Sequence, residues 1–278
     1  MSDFSSLNDI SAAWSAVGNR GVSRRFTIPA YPSSSIIALY PITLWWAAGG
    51  AATSVTWTVM DDTVAGALIP NIVNGGTKTN RVLELEAKAA SGQHRLVIVD
   101  RLASMYFDQT TQGIPYALNA DLVALSAAGR CDPGGADVQW WMESIGTYGI
   151  LNITVYTLNV TYNDGSTGQI VFSPPVTNAP PAMFLIDPGV TGKTIKAIAD
   201  VTISGTSGTG PANLIATKEL GAISMNPTSP ANYIERKGWE ELGLAEVGPD
   251  AHLMAYIVPM SAISTTPVID GTITIGGA

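Results

Sequence analysis

The sequence predicts an all-β protein: a jelly-roll-like β-sandwich of two lobes, preceded by a short helical arm at the N-terminus. Two observations carry the β assignment. Through residues 150–162 apolar and polar residues alternate, with Tyr156, Leu158, Val160 and Tyr162 on one face and Ile153, Val155, Thr157, Asn159 and Thr161 on the other. A period of two belongs to a pleated strand. Runs of this kind are separated by turn residues at intervals of roughly 8–12 residues, the spacing of sandwiches and barrels.

Taken in order, residues 6–17 are the clearest helix, because Leu7, Ile10, Trp14 and Val17 form one narrow stripe at spacings of three and four and Gly18 ends it. Residues 21–35 are polar and interrupted by Pro29 and Pro32, which reads as an extended linker carrying Arg24 and Arg25. Together they make an arm over residues 1–35 that is expected to reach another chain. Strands follow at 36–40, 54–60, 81–88 and 95–99, with Leu83, Leu85 and Ala87 inward and Glu84, Glu86 and Lys88 in solvent. Residues 104–128 lack a period and read as a long connection with a short strand near 121–125. The first β lobe is therefore 36–128 and the second 129–278. In the second, a strand at 137–143 precedes the run at 150–162, and Asn163-Asp164-Gly165 supplies a tight hairpin back to 169–172. Residues 193–204 alternate with Ile195, Ala197, Ala199, Val201 and Ile203 inward. Pro174-Pro175 and Pro180-Pro181 exclude a central strand between them. A strand at 213–220, a turn of helix at 231–237 opened by Ser229-Pro230, and strands at 252–258 and 268–275 complete the lobe.

Composition narrows the function. Only 13% of the 278 residues are charged while 46% are hydrophobic, against a usual charged share of roughly 25%. Such a surface suits permanent contact. The net charge of −8 opposes nucleic-acid binding, which rests on clustered Lys and Arg. Cys131 is the one cysteine, so no internal disulfide forms and the thiol reads as a small buried apolar group. The start, Met1-Ser2-Asp3-Phe4, has neither the basic region nor the apolar run of a signal peptide. No apolar run reaches the ~20 residues of a membrane helix; the longest, at 36–48, is broken by Pro41 and Thr43. The expectation is a protein made in the cytoplasm, with no membrane partner.

Motifs that could carry chemistry have ordinary readings. Residues 187–194 end in Gly192-Lys193-Thr194 like a phosphate-binding loop, but Asp187 stands where its first glycine belongs and a strand follows where a helix should. His94 and His252, the two histidines, lack ligand spacing, so no metal or cofactor is expected. No Gly-x-Ser-x-Gly elbow is present. Carboxylates able to form an acid–base pair are Asp61-Asp62, Glu84 with Glu86, Glu143, and Glu240-Glu241, read here as solvated charge. The tryptophan neighbours Trp45-Trp46 and Trp140-Trp141 face opposite ways in a strand, so one of each pair enters the core while the other meets a second sheet, a partner or a sugar ring. No residue is assigned to catalysis. The candidate interface residues are Leu7, Ile10, Trp14, Val17, Trp45, Trp46, Trp140 and Trp141.

The ordered segments Val99-Asp100-Arg101-Leu102, Val138-Gln139-Trp140-Trp141-Met142-Glu143, Ile153-Thr154-Val155, Val160-Thr161-Tyr162-Asn163, Ala199-Asp200-Val201-Thr202-Ile203-Ser204, Gly248-Pro249-Asp250-Ala251-His252-Leu253 and Gly271-Thr272-Ile273 resemble virion structural proteins of tailed bacteriophages. The likeness runs from about Val99 to the C-terminus. It implies a β-rich minor capsid or decoration protein located in the virion, whose partners are the major capsid protein or other virion proteins; the sparse charge and absent catalytic clusters lead to the expectation of a homo-oligomer, with a trimer favoured. A tail or baseplate component and a carbohydrate-binding or depolymerising protein are the alternatives.

Overall fold

The computed structural model describes residues 22–28, 32–36, 41–44, 55–64, 67–68, 80–107, 113–144, 155–173, 182–204, 212–226, 234–248, 250–260, 263–265 and 268–277. The helix carrying Leu7, Ile10, Trp14 and Val17, the Trp45-Trp46 pair and both proline pairs lie outside these residues. The strands are β1 (Val22–Ile28), β2 (Pro32–Ile36), β3 (Ile42–Thr43), β4 (Thr58–Val59), β5 (Asn80–Ala89), β6 (His94–Phe107), β7 (Tyr116–Asp121), β8 (Gln139–Ser144), β9 (Val155–Tyr162) and β10 (Thr167–Phe172). They continue with β11 (Met183–Leu185), β12 (Ile195–Ser204), β13 (Ala212–Met225), β14 (Glu235–Gly238), β15 (Glu246–Val247), β16 (Leu253–Pro259), β17 (Ile263–Thr265) and β18 (Ile269–Gly277). Among the described residues two short helices, α1 (Val123–Ala127) and α2 (Trp239–Leu242), interrupt them. The chain is an all-β sandwich, as its alternation predicts.

A seven-stranded antiparallel sheet, ordered β11-β8-β13-β6-β16-β3 with β4 beside β6, forms the centre. It curls until its edges meet: Ile42 of β3 bridges Ala182 beside β11, and the Met183 amide donates to the Pro41 carbonyl at 2.8 Å. Its concave face encloses Met60, Val97, Val99, Trp141, Met183, Ile215, Met254 and Tyr256. Its outer face carries two further cores. A four-stranded sheet, β10-β9-β12-β7, covers one end and buries Met105, Phe107, Trp140, Met142, Leu158 and Leu214. The sheet β1-β18-β5-β14, with β15 also on β5, covers the other and buries Leu85, Leu96, Ile98, Ile223, Leu253 and Ile273.

Two cores lie on one face of a shared sheet, and each draws residues from both sides of position 128, the expected boundary between the lobes: Leu102 and Leu214 meet in one, Leu85 and Ile273 in the other. The 14-residue strands β6 and β13 run through both. Each has one extra residue where it passes from core to core, at Leu102 in β6 and Leu220 in β13, because the register slips between Ala216 and Thr217 and again between Glu219 and Gly221. A bulge of this kind redirects one side chain. Leu102 goes to the first core and Leu220 to the second.

Several local readings change. Residues 22–28 are no linker: β1 pairs with β18 over its whole length and buries Phe26 and Ile28, and β2 pairs with β17. Pro29 merely separates two extended stretches. Residues 104–107 continue β6, 116–121 form β7 and 123–127 form α1, so the expected connection at 104–128 is mostly regular structure. Residues 235–238 are strand β14, and the helix comes one step later, from Trp239. In β12 the inward set is Ile195, Ile198, Val201 and Ile203, while Ala197 is half-buried and Ala199 exposed, because register shifts after Ile195 and Ile198 break the simple alternation. Glu84 is not solvated either; it is 8% exposed and ion-paired with Arg236, which also reaches Glu86 at 3.4 Å.

The run at β9 has the expected form. Tyr156, Leu158, Val160 and Tyr162 are buried and the residues between them half-buried. Gly165 turns the hairpin at φ +82°, a region that glycine enters without a Cβ penalty, and β10 returns in register from Thr167 opposite Thr161. Asp164 caps the turn by accepting from the Ser166 hydroxyl and amide; with Lys193 these hold its carboxyl down at about 2. Replacing Leu158 with Ala is expected to destabilise the fold by about 2–5 kcal/mol through lost burial and a residual cavity, and Thr157→Ala by less than about 1 kcal/mol. Urea unfolding of the two variants measures both; equal losses would mean that the Thr157 face is also buried against a partner.

Candidate functional site

Between the two outer cores the central sheet turns polar. Asp100 of β6 stands opposite Lys218 of β13, in the three-residue stretch bounded by the two bulges. Arg130, which follows α1, grips Asp100 with two nitrogens, Nε at 3.1 Å and Nη2 on the other oxygen. The same guanidinium donates to the Met60 carbonyl and, at 3.4 Å, to that of Arg101. Asp100 and Arg130 are 1% and 4% exposed, so water does not screen the pair. Burial pushes the Asp100 carboxyl above its ordinary range, against the pull of Arg130, of the His252 amide and of Lys218. Lys218 joins Asp137 at 3.0 Å, and Asp137 accepts from the Asp132 amide at 2.8 Å, which ties the 130–138 loop to the waist. Gly248 packs where a Cβ would lie 2.9 Å from Cγ of Arg130, so the loop can approach only as glycine.

A second buried polar group closes the central sheet. Glu143 of β8, fully buried, accepts from the Thr43 hydroxyl of β3 across the seam and from Asn213 Nδ2 of β13 at 2.8 Å. Arg101 supplies the opposing charge within the same enclosure and donates to Ser104 at 2.7 Å; burial pulls its guanidinium down to about 10, with Glu143 acting against that. Trp141 Nε1 donates to Thr217 at 3.0 Å. Glu143 was read as solvated charge. Strand alternation hid the fact that the sheet closes on itself, which puts both its faces in the dry.

Trp140 and Trp141 do face opposite ways, yet both end inside the chain. Trp140 stacks on Trp57 at 5.4 Å in the first core, and Trp141 lies 5.6 Å from Tyr256 within the curled sheet. Neither offers a platform for a sugar or a partner. The loop at 187–194 uses its own groups: Lys193 binds Asp164 at 3.0 Å and Ser166 at 2.7 Å, and Thr194 donates to the Gly134 carbonyl at 2.6 Å before β12 begins. His94 lies 1% exposed with Nε2 at 2.9 Å from the Ser91 carbonyl, and burial lowers its pKa. Burial pushes the Cys131 thiol up to about 11. The candidate carboxylates sit on separate elements: Asp61 and Asp62 after β4, Glu84 and Glu86 on β5, Glu143 in the seam, Glu240 and Glu241 on α2. Among the described residues no cluster of three or more His, Cys, Asp or Glu side chains could hold a metal ion.

The waist was missed as a site, although a signal for it existed. Val99-Asp100-Arg101-Leu102 and the segment from Gly248 to Leu253, widely separated in sequence, meet there: the Arg101 amide donates to the His252 carbonyl at 2.8 Å and Leu253 pairs with Asp100. Arg130 had no pattern around it.

No family model matches the chain, and no curated protein matches it. Among solved structures, it is similar to that of the Gx strain of infectious bursal disease virus, at 8% identity over 92% of this chain and 81% of that one, with a TM-score of 0.21. It is similar also to the VP2 subviral particle of infectious bursal disease virus, at 10% identity over 94% and 82%, with a TM-score of 0.21. Superpositions at that score leave function to be argued from this chain's own residues.

Removing one partner of a buried ion pair leaves the other uncompensated, so Arg130→Met is expected to cost about 3–5 kcal/mol, and adding Asp100→Asn to restore part of that loss. Denaturant unfolding of the two single variants and the double variant measures the coupling. Additive effects would show that the pair does not hold the waist.

Proposed function

We propose that this chain is a non-enzymatic virion structural protein of a tailed bacteriophage, which decorates or cements the capsid through contacts among its own copies and with the major capsid protein. One observation carries the reading: the buried ionic chemistry is spent on joining strands. Asp100 is held by Arg130 and Glu143 by Thr43 and Asn213, each linking segments far apart in sequence. What faces solvent on the four-stranded sheet is a mostly neutral polar ladder, Gln169 to Asn159 at 3.0 Å and Asn159 to the Asp200 carboxylate at 2.7 Å, beside Thr157, Thr161 and Thr202. A surface with few charges loses little by desolvation when it is covered permanently. The resemblance of the segments from Val99 onward to phage virion proteins supplies the particle. A trimer is the favoured unit, two of which a two-fold contact would join, and the part of the expected 1–35 arm that precedes β1 is the favoured attachment element.

The test is to mix the purified chain with assembled phage heads and, separately, with tails, and to sediment each. Co-sedimentation with heads at saturable stoichiometry is expected. Binding to tails alone would move the protein to the tail, and binding to neither, with cleavage of a polysaccharide, would refute the structural role.

A further inference from the structure

The open edges of the two packed sheets differ in one respect. On the five-stranded sheet, β14 carries Glu235, Arg236 and Lys237, and β1 carries Arg24 and Arg25 in its sequence. On the four-stranded sheet, β7 is irregular: Asn119 takes φ +46°, the register beside it shifts at Ile198, and Trp57 Nε1 occupies the Asp121 carbonyl at 3.1 Å. Charge, bulges and cover are the usual means by which sheet edges are kept from pairing with other chains. Among the described residues the opposite edge, β10, has none of them. Its sequence, Thr167-Gly168-Gln169-Ile170-Val171-Phe172, is uncharged and free of proline, and its register with β9 runs unbroken.

The hydrogen-bond phase of that hairpin shows what the edge offers. The Tyr162 amide donates to the Ser166 carbonyl at 2.9 Å, so the inward-bonded positions of β10 are Gly168, Ile170 and Phe172. The backbone groups of Thr167, Gln169 and Val171 then point away from the sheet. All three residues are exposed, Val171 at 63%, and no described strand pairs with them. The Gln169 side chain is bonded to Asn159 on its own face, which leaves the edge clear.

We propose that β10 is an assembly edge, which pairs antiparallel with β10 of a second copy about a two-fold axis and joins two four-stranded sheets into one of eight. A partner strand chosen by charge would have left the opposite sign on this edge. What a neutral edge fits is an equally neutral strand, and every copy carries one in β10 itself. Centred on Gln169, the pairing sets Thr167 opposite Val171 of the other copy and brings no like charges together. The proposal deepens the structural reading above but does not need a capsid to be tested.

The experiment is the mass in solution of the wild type and of Val171→Lys and Gln169→Pro, measured by sedimentation equilibrium, with circular dichroism to confirm that each variant keeps its fold. The lysine places a like charge on both sides of the axis, and the proline removes an outward amide. We expect the wild type to contain an even number of chains and either folded variant to contain half that number. A wild type with an odd number of chains, or a mass that neither folded variant lowers, would overturn the proposal. Should Val171→Lys unfold, deuterium exchange at the Gln169 and Val171 amides of the wild type decides: protection that grows with protein concentration is expected, and fast, concentration-independent exchange would overturn it. Halving without binding to heads would retain this edge and reject the capsid role.

Discussion

The ion pair between Arg130 and Asp100 is the constraint on which the rest of the molecule depends. Two apolar cores lie on the same face of one sheet, and hydrophobic burial alone would favour merging them. Asp100 and Lys218, cross-strand neighbours between the bulges, interrupt the apolar surface at the point where the cores would meet. A carboxylate at 1% exposure is tolerable only when its charge and lone pairs are satisfied, and Arg130 and the His252 amide do that. Because Arg130 also holds the Met60 and Arg101 carbonyls, one side chain fixes the loop after α1, the segment after β4 and the centre of β6 together. The bulges at Leu102 and Leu220 are the backbone's response to this polar row, since each restores an apolar residue to a core that alternation across the waist would have deprived.

The seam is the second constraint. A sheet that curls until its edges meet has no free edge there, but it encloses side chains from strands far apart in its order. Trp141 of β8 reaches Tyr256 of β16 across that interior, and Glu143 binds Thr43 across the junction. The polar residues inside are satisfied mainly by one another, which selects one closure over other registers more than it adds stability. Cooperativity follows from this arrangement. The enclosed cluster takes Trp141, Met183 and Ile215 from one end of the sheet and Val97, Met254 and Tyr256 from the other, so neither lobe can open without disturbing it.

Much of the fold was legible wherever a strand has one wet face. The alternation at 155–162, the hairpin at Asp164-Gly165 and the strand near 81–88 could be read directly because period two is imposed by partial burial, whereas the strand at 252–258 was legible only as an apolar run. Legibility failed where that condition fails. In β6 the residues from Leu96 to Met105 are all buried, on two faces and through a bulge, so no period survives beyond Val99 and the strand seemed to end there. Ala199 was assigned inward because bulges are invisible to a periodicity argument. The arm was overextended for another reason: Arg24 and Arg25 belong to an edge strand, where charge is compatible with pairing on one side. Among the candidate site residues, Trp140 and Trp141 were correctly set on opposite faces, but only closure of the sheet reveals that both faces are interior. Arg130 was illegible altogether, since its partners lie 30 and 70 residues away.

A chain with this plan should behave as one rigid block rather than as two lobes moving on a tether. Native-state hydrogen exchange tests that claim most directly, by comparing the opening free energies of amides in the two outer cores, such as Leu158 and Ile198 in one and Leu85 and Ile273 in the other. We expect the slowest amides of both cores to share a single opening free energy equal to that of global unfolding. A distinctly lower value throughout one core, with the other still protected, would show that the waist and the closed sheet do not couple the lobes.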